Sequence, residues 1–259
     1  MKRVYICSDT ITGMFSAFYD AWKERRNEEV GIRLRGNIEQ ELFCEYTEVQ
    51  ENERKATAIE KLIRNHMGDS VYHDIYHALL SEHAAKAEAV FRVMQTSRTI
   101  KDSRKIMEHL SNPDVAKVFE LSRNVSNEAH RFLEFIRFRE LENGVLYSGI
   151  NPKNRVLTCM GDHFADRFPL ENWLIYDKAH REAIIHRSGR AWFLFREFEL
   201  NMETTEKLSA KEYEIEHLWN GFFETVSIKE RKNPNCQRNH LPLRFRSDMT
   251  EFSKNTVFI

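Results

Sequence analysis

Val145-Leu-Tyr-Ser-Gly-Ile150 is where the sequence changes texture. Ahead of it, apolar residues recur with the helical period. Behind it, they come in short runs rich in β-branched and aromatic side chains. Those runs are Trp173-Leu-Ile-Tyr176, Ala183-Ile-Ile-His186 and Ala191-Trp-Phe-Leu-Phe195. Lys178 to Arg181 and Arg187 to Arg190 are hairpin-length connections between them, the second holding Ser188-Gly189. One helix, about Leu157 to Phe168, interrupts the sheet. A last amphipathic helix fits Ile215, Leu218, Trp219, Phe222 and Val226. Ser209 is its expected cap, with Glu212 three residues on as the capping-box partner.

Upstream of Gly144, a helix expected from about Ser126 to Asn143-Gly144 carries Phe132, Leu133, Phe135, Ile136, Phe138 and Leu141. That apolar surface is wider than one stripe and suits a central helix. Asn112-Pro113-Asp114 has the form of a helix start: Asn caps, Pro takes the first position, and Asp suits the positive dipole end. Val115, Val118 and Phe119 then line a buried face. Ala87, Val90, Phe91 and Met94 mark an earlier helix, Ser70 to Leu80 another. Ile59, Leu62, Ile63 and His66 mark a third, closed by Gly68. Ile11, Met14, Phe15, Phe18, Tyr19 and Trp22 form one more helical face. Val4-Tyr-Ile-Cys7 reads as a strand and Leu42-Phe-Cys-Glu-Tyr46 as a second. The expected class is α+β: a Phe-rich helical bundle plus a small antiparallel sheet with flanking helices. Residues 1–144 form the mainly helical part with short N-terminal strands. Residues 145–259 hold the sheet, the final helix and a basic C-terminal segment. No linker or internal repeat separates them, so they read as one compact unit.

Composition narrows the class. The 259 residues carry 39 Lys+Arg against 40 Asp+Glu, and only 9 Gly and 5 Pro. That excludes collagenous, low-complexity and disulfide-scaffold chains, and a bulk-basic nucleic-acid coat. No apolar window reaches the roughly 18 residues of a membrane span, and the start lacks a signal-peptide run. A soluble cytoplasmic protein without membrane contact is expected. Cys7, Cys44, Cys159 and Cys236 are far apart and form no CxxC pair, so they read as reduced thiols. No cofactor is expected.

Charge is distributed unevenly. Residues 28–60 hold nine Glu against Arg33, Arg35, Arg54 and Lys55, and residues 197–216 hold seven Glu against Lys207 and Lys211. The segment Ile228–Arg246 carries Lys229, Arg231, Lys232, Arg238, Arg244 and Arg246 against Glu230 alone. Asn233, Gln237, Asn239, His240 and Phe245 are interleaved. Two readings stand. One is a surface tracking phosphodiesters, with amides for base edges and Phe245 for stacking. The other is a solvated tail docked on the acidic stretches. A second basic run is Arg92, Arg98, Lys101, Arg104 and Lys105.

Three clusters carry candidate chemistry. His73 and His77 stand at i and i+4 on one helix face, the zinc-protease spacing, but Asp74 replaces the Glu of that pattern. Paired surface or half-buried histidines are the plainer reading, and no metal is expected. Glu128 and His130 head a run with Arg131, Glu134, Arg137 and Glu140 that suits either a salt-bridged face or an anion pocket. His163, Asp166 and Arg167 lie within about one turn, so a proton carrier, its orienting carboxylate and a phosphate ligand can converge there. Phosphate-loop, dinucleotide and nucleophile-elbow glycine motifs are missing from the sequence.

Several motifs in order resemble one family over essentially the whole chain. They are Val4-Tyr-Ile-Cys-Ser-Asp9 with Tyr19-Asp-Ala-Trp22, Leu42-Phe-Cys-Glu-Tyr46, Asn127-Glu-Ala-His130 and Arg137-Phe-Arg-Glu-Leu-Glu-Asn-Gly144. His163-Phe-Ala-Asp-Arg-Phe168, Asn172-Trp-Leu-Ile-Tyr-Asp177 and Phe222-Phe-Glu-Thr225 follow, then Glu230-Arg-Lys-Asn-Pro234, Pro242-Leu-Arg-Phe245 and Met249-Thr-Glu-Phe252. The family is that of the bacterial DNA metabolism or DNA repair proteins. The resemblance implies a gene beside a radical S-adenosylmethionine (radical SAM) protein of DNA modification or repair. It also implies likeness to a segment fused ahead of uracil-DNA-glycosylase-superfamily domains. It supplies no assigned reaction and no catalytic residues. The expectation is an accessory protein that binds DNA and acts with the radical enzyme. The rivals are an enzyme using Glu128, His130, His163, Asp166 and Arg167, and a protein-interaction subunit without DNA contact.

Overall fold

A computed structural model describes residues 2–24, 30–36, 42–226, 228–231, 233–249 and 252. The fold is α+β. The chain divides into two compact units, Met1–Ser126 and Asn127–Ile259. The division falls inside a long helix rather than at Gly144.

The first unit is built around β1 (Lys2–Cys7). This strand lies between β2 (Val30–Leu34) and β3 (Cys44–Glu48), and both pairings are parallel. Parallel neighbours need a crossover, and α1 (Ile11–Glu24) supplies the one from β1 to β2. β2 was not foreseen, and the second expected strand begins at Cys44 rather than Leu42. Four helices follow: α2 (Glu53–Met67), α3 (Asp69–Leu79), α4 (Lys86–Thr96) and α5 (Pro113–Phe135). Their starts follow local chemistry. Asn52 Oδ1 accepts from the Arg54 and Lys55 amides at 3.0 and 3.1 Å, satisfying two donors that α2 would otherwise leave open. Asn112 Oδ1 does the same for Asp114 and Val115 ahead of α5. Gly68 ends α2 with φ +88°, and its N–H donates to the Arg64 carbonyl. The core gathers Phe15, Phe18, Ile32, Ile59, Ile63, Phe91 and Met94, all nearly inaccessible. Lys86 is buried with them. Its Nζ meets Asp9 Oδ1 at 2.5 Å and donates to the Ser81 carbonyl at 2.6 Å.

α5 extends into the second unit and ends at Phe135, not at Asn143. The reason is tertiary. Residues 139–140 form β4 (Arg139–Glu140), and Phe138 packs edge-on against Phe164, Phe168 and Trp173. Aromatic burial overrides helical propensity here. β4 opens a five-stranded sheet of sequential order with β5 (Leu146–Ile150), β6 (Trp173–Asp177), β7 (Glu182–His186) and β8 (Phe193–Phe195). The sheet is mixed, not purely antiparallel. α6 (Leu157–Arg167) carries the chain back, so β5 and β6 run parallel, while the other pairs are antiparallel. Gly161 on α6 admits the indole of Trp192: a Cβ there would lie 2.4 Å from Trp192 Cε2. The Trp192 Nε1–H donates to Asp162 at 2.7 Å.

The chain ends in α7 (Met202–Glu206), α8 (Ala210–Val226) and α9 (Pro234–His240), with 3-10 turns at Lys229–Arg231 and Leu243–Asp248. Ser209 caps α8 as expected, its Oγ accepting from the Glu212 amide at 3.0 Å. The Glu212 carboxylate instead accepts from the Glu140 amide, tying α8 to β4. Among the described residues no helix is long and apolar enough to cross a membrane.

Candidate functional site

Period-two alternation aims one face of β6 inward: Trp173, Ile175 and Asp177 are buried, while Leu174 and Tyr176 are less so. The strand therefore delivers a carboxylate to the buried side at its carboxyl end. Asp177 is fully inaccessible, and its oxygens are satisfied locally. Oδ1 accepts from the Ala179 and His180 amides, and Oδ2 pairs with His180 Nδ1 at 2.6 Å. This Asx turn reverses the chain, with Arg181 at φ +55°, and sets Glu182 opposite Asp177 in register. Glu182 is buried too. Its Oε1 receives Arg155 NH1 at 2.5 Å, and Arg196 Nε approaches at 3.8 Å.

Glu128 adds a third buried carboxylate. It lies on α5, 3% exposed, and accepts from the Lys153 amide (3.0 Å), the Asn154 amide (2.9 Å) and Asn154 Nδ2 (2.7 Å). Arg244 NH1 lies 2.8 Å from its Oε1. A buried carboxylate needs this much compensation, because its desolvation costs several kcal/mol. Asn154 and Arg155 are adjacent, so the Glu128 and Glu182 groups are two ends of one cluster. The loop after β5 runs through it, pinned by Glu128 at 153–154 and by Glu182 at 155. The cluster shows its cations to solvent: the side chains of Arg155, Arg196 and Arg244 are 28%, 45% and 46% exposed. Lys153, Lys178 and Arg181 are exposed at the same edge.

The basic C-terminal segment is less free than its composition implies. Arg244 is paired with Glu128, and its guanidinium also lies 4.6 Å from the Phe245 ring centre. Arg246 donates twice to the Leu241 carbonyl. Arg238 donates to the Pro234 carbonyl and to Asn235, and Asn233 caps α9 through the Cys236 amide. Arg231 and Arg238 are exposed. Lys232 and the Lys229 side chain lie outside the described residues. Phe245 does not offer a stacking face. It is 4% exposed and packs edge-on to Phe132 at 4.8 Å and against Phe135 at 5.5 Å.

The other candidates separate. His163, Asp166 and Arg167 are exposed on α6, and no hydrogen bond or ion pair joins them among the described residues. None of them touches Glu128, whose partners are the loop and Arg244. His130 pairs with Glu134 at 3.2 Å on an exposed helix face. In the first unit the His73 and His77 rings lie 3.9 Å apart, and His77 Nδ1 sits 2.6 Å from Ser126 Oγ. Burial, helped by His73, pushes the His77 imidazole down to about 4. Among the described residues no three His, Cys, Asp or Glu side chains converge as metal ligands. None of the four cysteines forms a disulfide, and burial pushes the Cys7 and Cys159 thiols up to about 12. At that value they are protonated at neutral pH, so neither serves as a resting thiolate.

Residues 84–251 match the family described as Domain of unknown function (DUF4130). The chain belongs to that family. The assignment is consistent with the resemblance seen in the motifs. No curated protein matches the sequence. The DUF4130 region contains every member of the buried carboxylate cluster: Glu128, Asn154, Arg155, Asp177, His180, Glu182, Arg196 and Arg244. Charge counting by segment missed Arg155, Asp177, His180, Glu182 and Arg196. The available signal was alternation, which puts Asp177 on the same face as Trp173.

Proposed function

We propose that this DUF4130 protein binds nucleic acid at the carboxyl edge of β5 and β6, as an accessory to a radical SAM enzyme of DNA repair or modification. The observation carrying the reading is the pair of partly exposed arginines Arg155 and Arg244, each held by a buried carboxylate, with Arg196 near by at 3.8 Å from Glu182. A guanidinium fork already oriented loses little side-chain freedom when it meets a phosphate. Lys153 and Lys178 add exposed positive charge beside it, and Arg181, also exposed, pairs with Glu199 at 3.4 Å. The pairing with a radical enzyme rests on the family resemblance alone, and cytoplasmic residence on the composition and the cysteine pattern.

Mobility shifts on duplex, single-stranded and lesion-bearing DNA at low salt test the reading. Binding in the micromolar range or tighter is expected. Arg181→Ala and Arg196→Ala leave the closer Arg155–Glu182 pair in place. Each should weaken binding on all sequences and flatten the logarithmic salt dependence by about one contact's worth, near 0.9 per phosphate on duplex. No shift at micromolar protein, with the radical enzyme also present, overturns it.

A further inference from the structure

α8 carries an apolar stripe that stands in solvent, with Phe223 at its margin edge-on to Phe252. Ile215, Leu218, Trp219, Phe222, Phe223 and Val226 are 47%, 70%, 39%, 58%, 42% and 53% exposed. Ile215, Trp219, Phe222 and Val226 follow a four-three-four spacing, that of a helix seam meeting another helix. Leu218 and Phe223 flank the seam on either side. Fully exposed side chains of this size offer roughly 150–250 Å² each, so the stripe amounts to roughly 600–700 Å². The largest patch on a typical monomer is about 300–600 Å². Ile228 and Leu243, also exposed, carry the apolar surface past the helix end. A standard interface needs roughly 800 Å² per partner, which the stripe with Ile228 and Leu243 approaches.

Charge flanks this stripe asymmetrically. Before and at the start of α8 stand exposed Glu197, Glu199, Glu203, Glu206 and Glu214 against exposed Lys207 and Lys211. After it stand exposed Arg231 and Arg238 against exposed Glu230. We propose that α8 pairs antiparallel with α8 of a second copy of this chain, making a two-fold dimer. A two-fold axis across the middle of α8 carries the acidic start of each helix to the basic segment following the other. The contact is self-complementary, as an isologous interface must be. A parallel pair sets like charges together and aligns the two helix dipoles, so it is disfavoured. The arrangement uses none of Arg155, Arg196 and Arg244, so it stands apart from the proposed nucleic-acid surface.

Sedimentation velocity on the full chain from 1 to 100 μM in about 0.1 M salt is the test. Twice the 30.9 kDa chain mass is expected at the upper concentrations. Leu218→Glu with Phe222→Glu should give the chain mass throughout, with unchanged far-ultraviolet circular dichroism. Arg231→Glu with Arg238→Glu should weaken the dimer at least tenfold. Adding Glu206→Arg and Glu214→Arg to that variant should restore it. A wild-type chain monomeric at 100 μM overturns the proposal. So does a dimer that survives the α8 variant. A dimer lost in the α8 variant but indifferent to charge reversal overturns the antiparallel arrangement. DNA affinity retained by the monomeric α8 variant separates this result from any failure of the nucleic-acid reading.

Discussion

Helices α2 and α8 are of similar length, and they place their apolar residues in opposite ways. α2 turns Ala56, Ile59, Ile63 and Met67 into the core of the first unit and shows charge to water. α8 leaves Ile215, Leu218, Phe222 and Val226 in water. The units that hold them differ in the same sense. The first closes over an aromatic and aliphatic core with Lys86 as its buried ion. The second buries Glu128, Asp177 and Glu182 and shows arginines and aromatic rings outside. Burying a charge does little for net stability, and exposing apolar area forfeits stabilisation. The first unit's sequence thus puts its apolar side chains into folding, while the second leaves part of its apolar area and its cations outside.

Substitutions can break or sharpen that contrast. The largest effect is expected at Glu128. Glu128→Ala strands the Asn154 amide, Asn154 Nδ2 and the Arg244 guanidinium, at a cost of about 3–5 kcal/mol in urea unfolding. If the loss is small, the second unit's buried charges are not structural anchors and the contrast weakens. Ile63→Ala, in the α2 face, should cost about 2–4 kcal/mol by the same measurement.

Next comes a pH effect confined to the first unit. The folded His77 imidazole titrates at about 4, against 6.5 unperturbed, because of burial and then His73. On acidification the unfolded chain takes up this proton first. Stability therefore falls as pH drops from about 6.5 towards 4, by no more than about 3 kcal/mol. His77→Gln should flatten that slope in stability measured against pH. Gly161→Ala pushes a methyl into the Trp192 ring and disturbs its bond to Asp162, for about 1–3 kcal/mol, read from thermal unfolding and indole fluorescence. The smallest effect is at Leu218. In dilute protein Leu218→Ala should change stability by no more than about 0.5 kcal/mol, the mirror image of Ile63→Ala.

What the sequence revealed follows how local each signal is. Asn112-Pro113-Asp114, Gly68 and Ser209 act on backbone groups within four residues, and each stands where the sequence places it. The period-two runs around Trp173 and Ile184 likewise become strands. Phe138 misled because its partners Phe164 and Trp173 come from later in the chain, and only they explain why α5 stops. β2 escaped for a similar reason: its pairing with β1 spans the intervening helix α1. Counting charges along the C-terminal segment found Arg244 but not its partner Glu128, which is far away in sequence. The site was half legible: Arg244 and Glu128 were each named but not paired, Asp177 was visible through strand alternation, and Arg155, Glu182 and Arg196 carried no local signal.

The central place of β1 also has a consequence for biogenesis. Of the eight strands among the described residues it leaves the ribosome first, yet both of its edges stay open until residues 30–34 and 44–48 have followed. At roughly 5–20 residues per second, that is a wait of seconds. For that time the nascent chain carries an apolar ribbon with two vacant rows of amides, the kind of template other strands join. Val4-Tyr-Ile-Cys7, buried once the sheet closes, is then the segment most in need of a chaperone's cover.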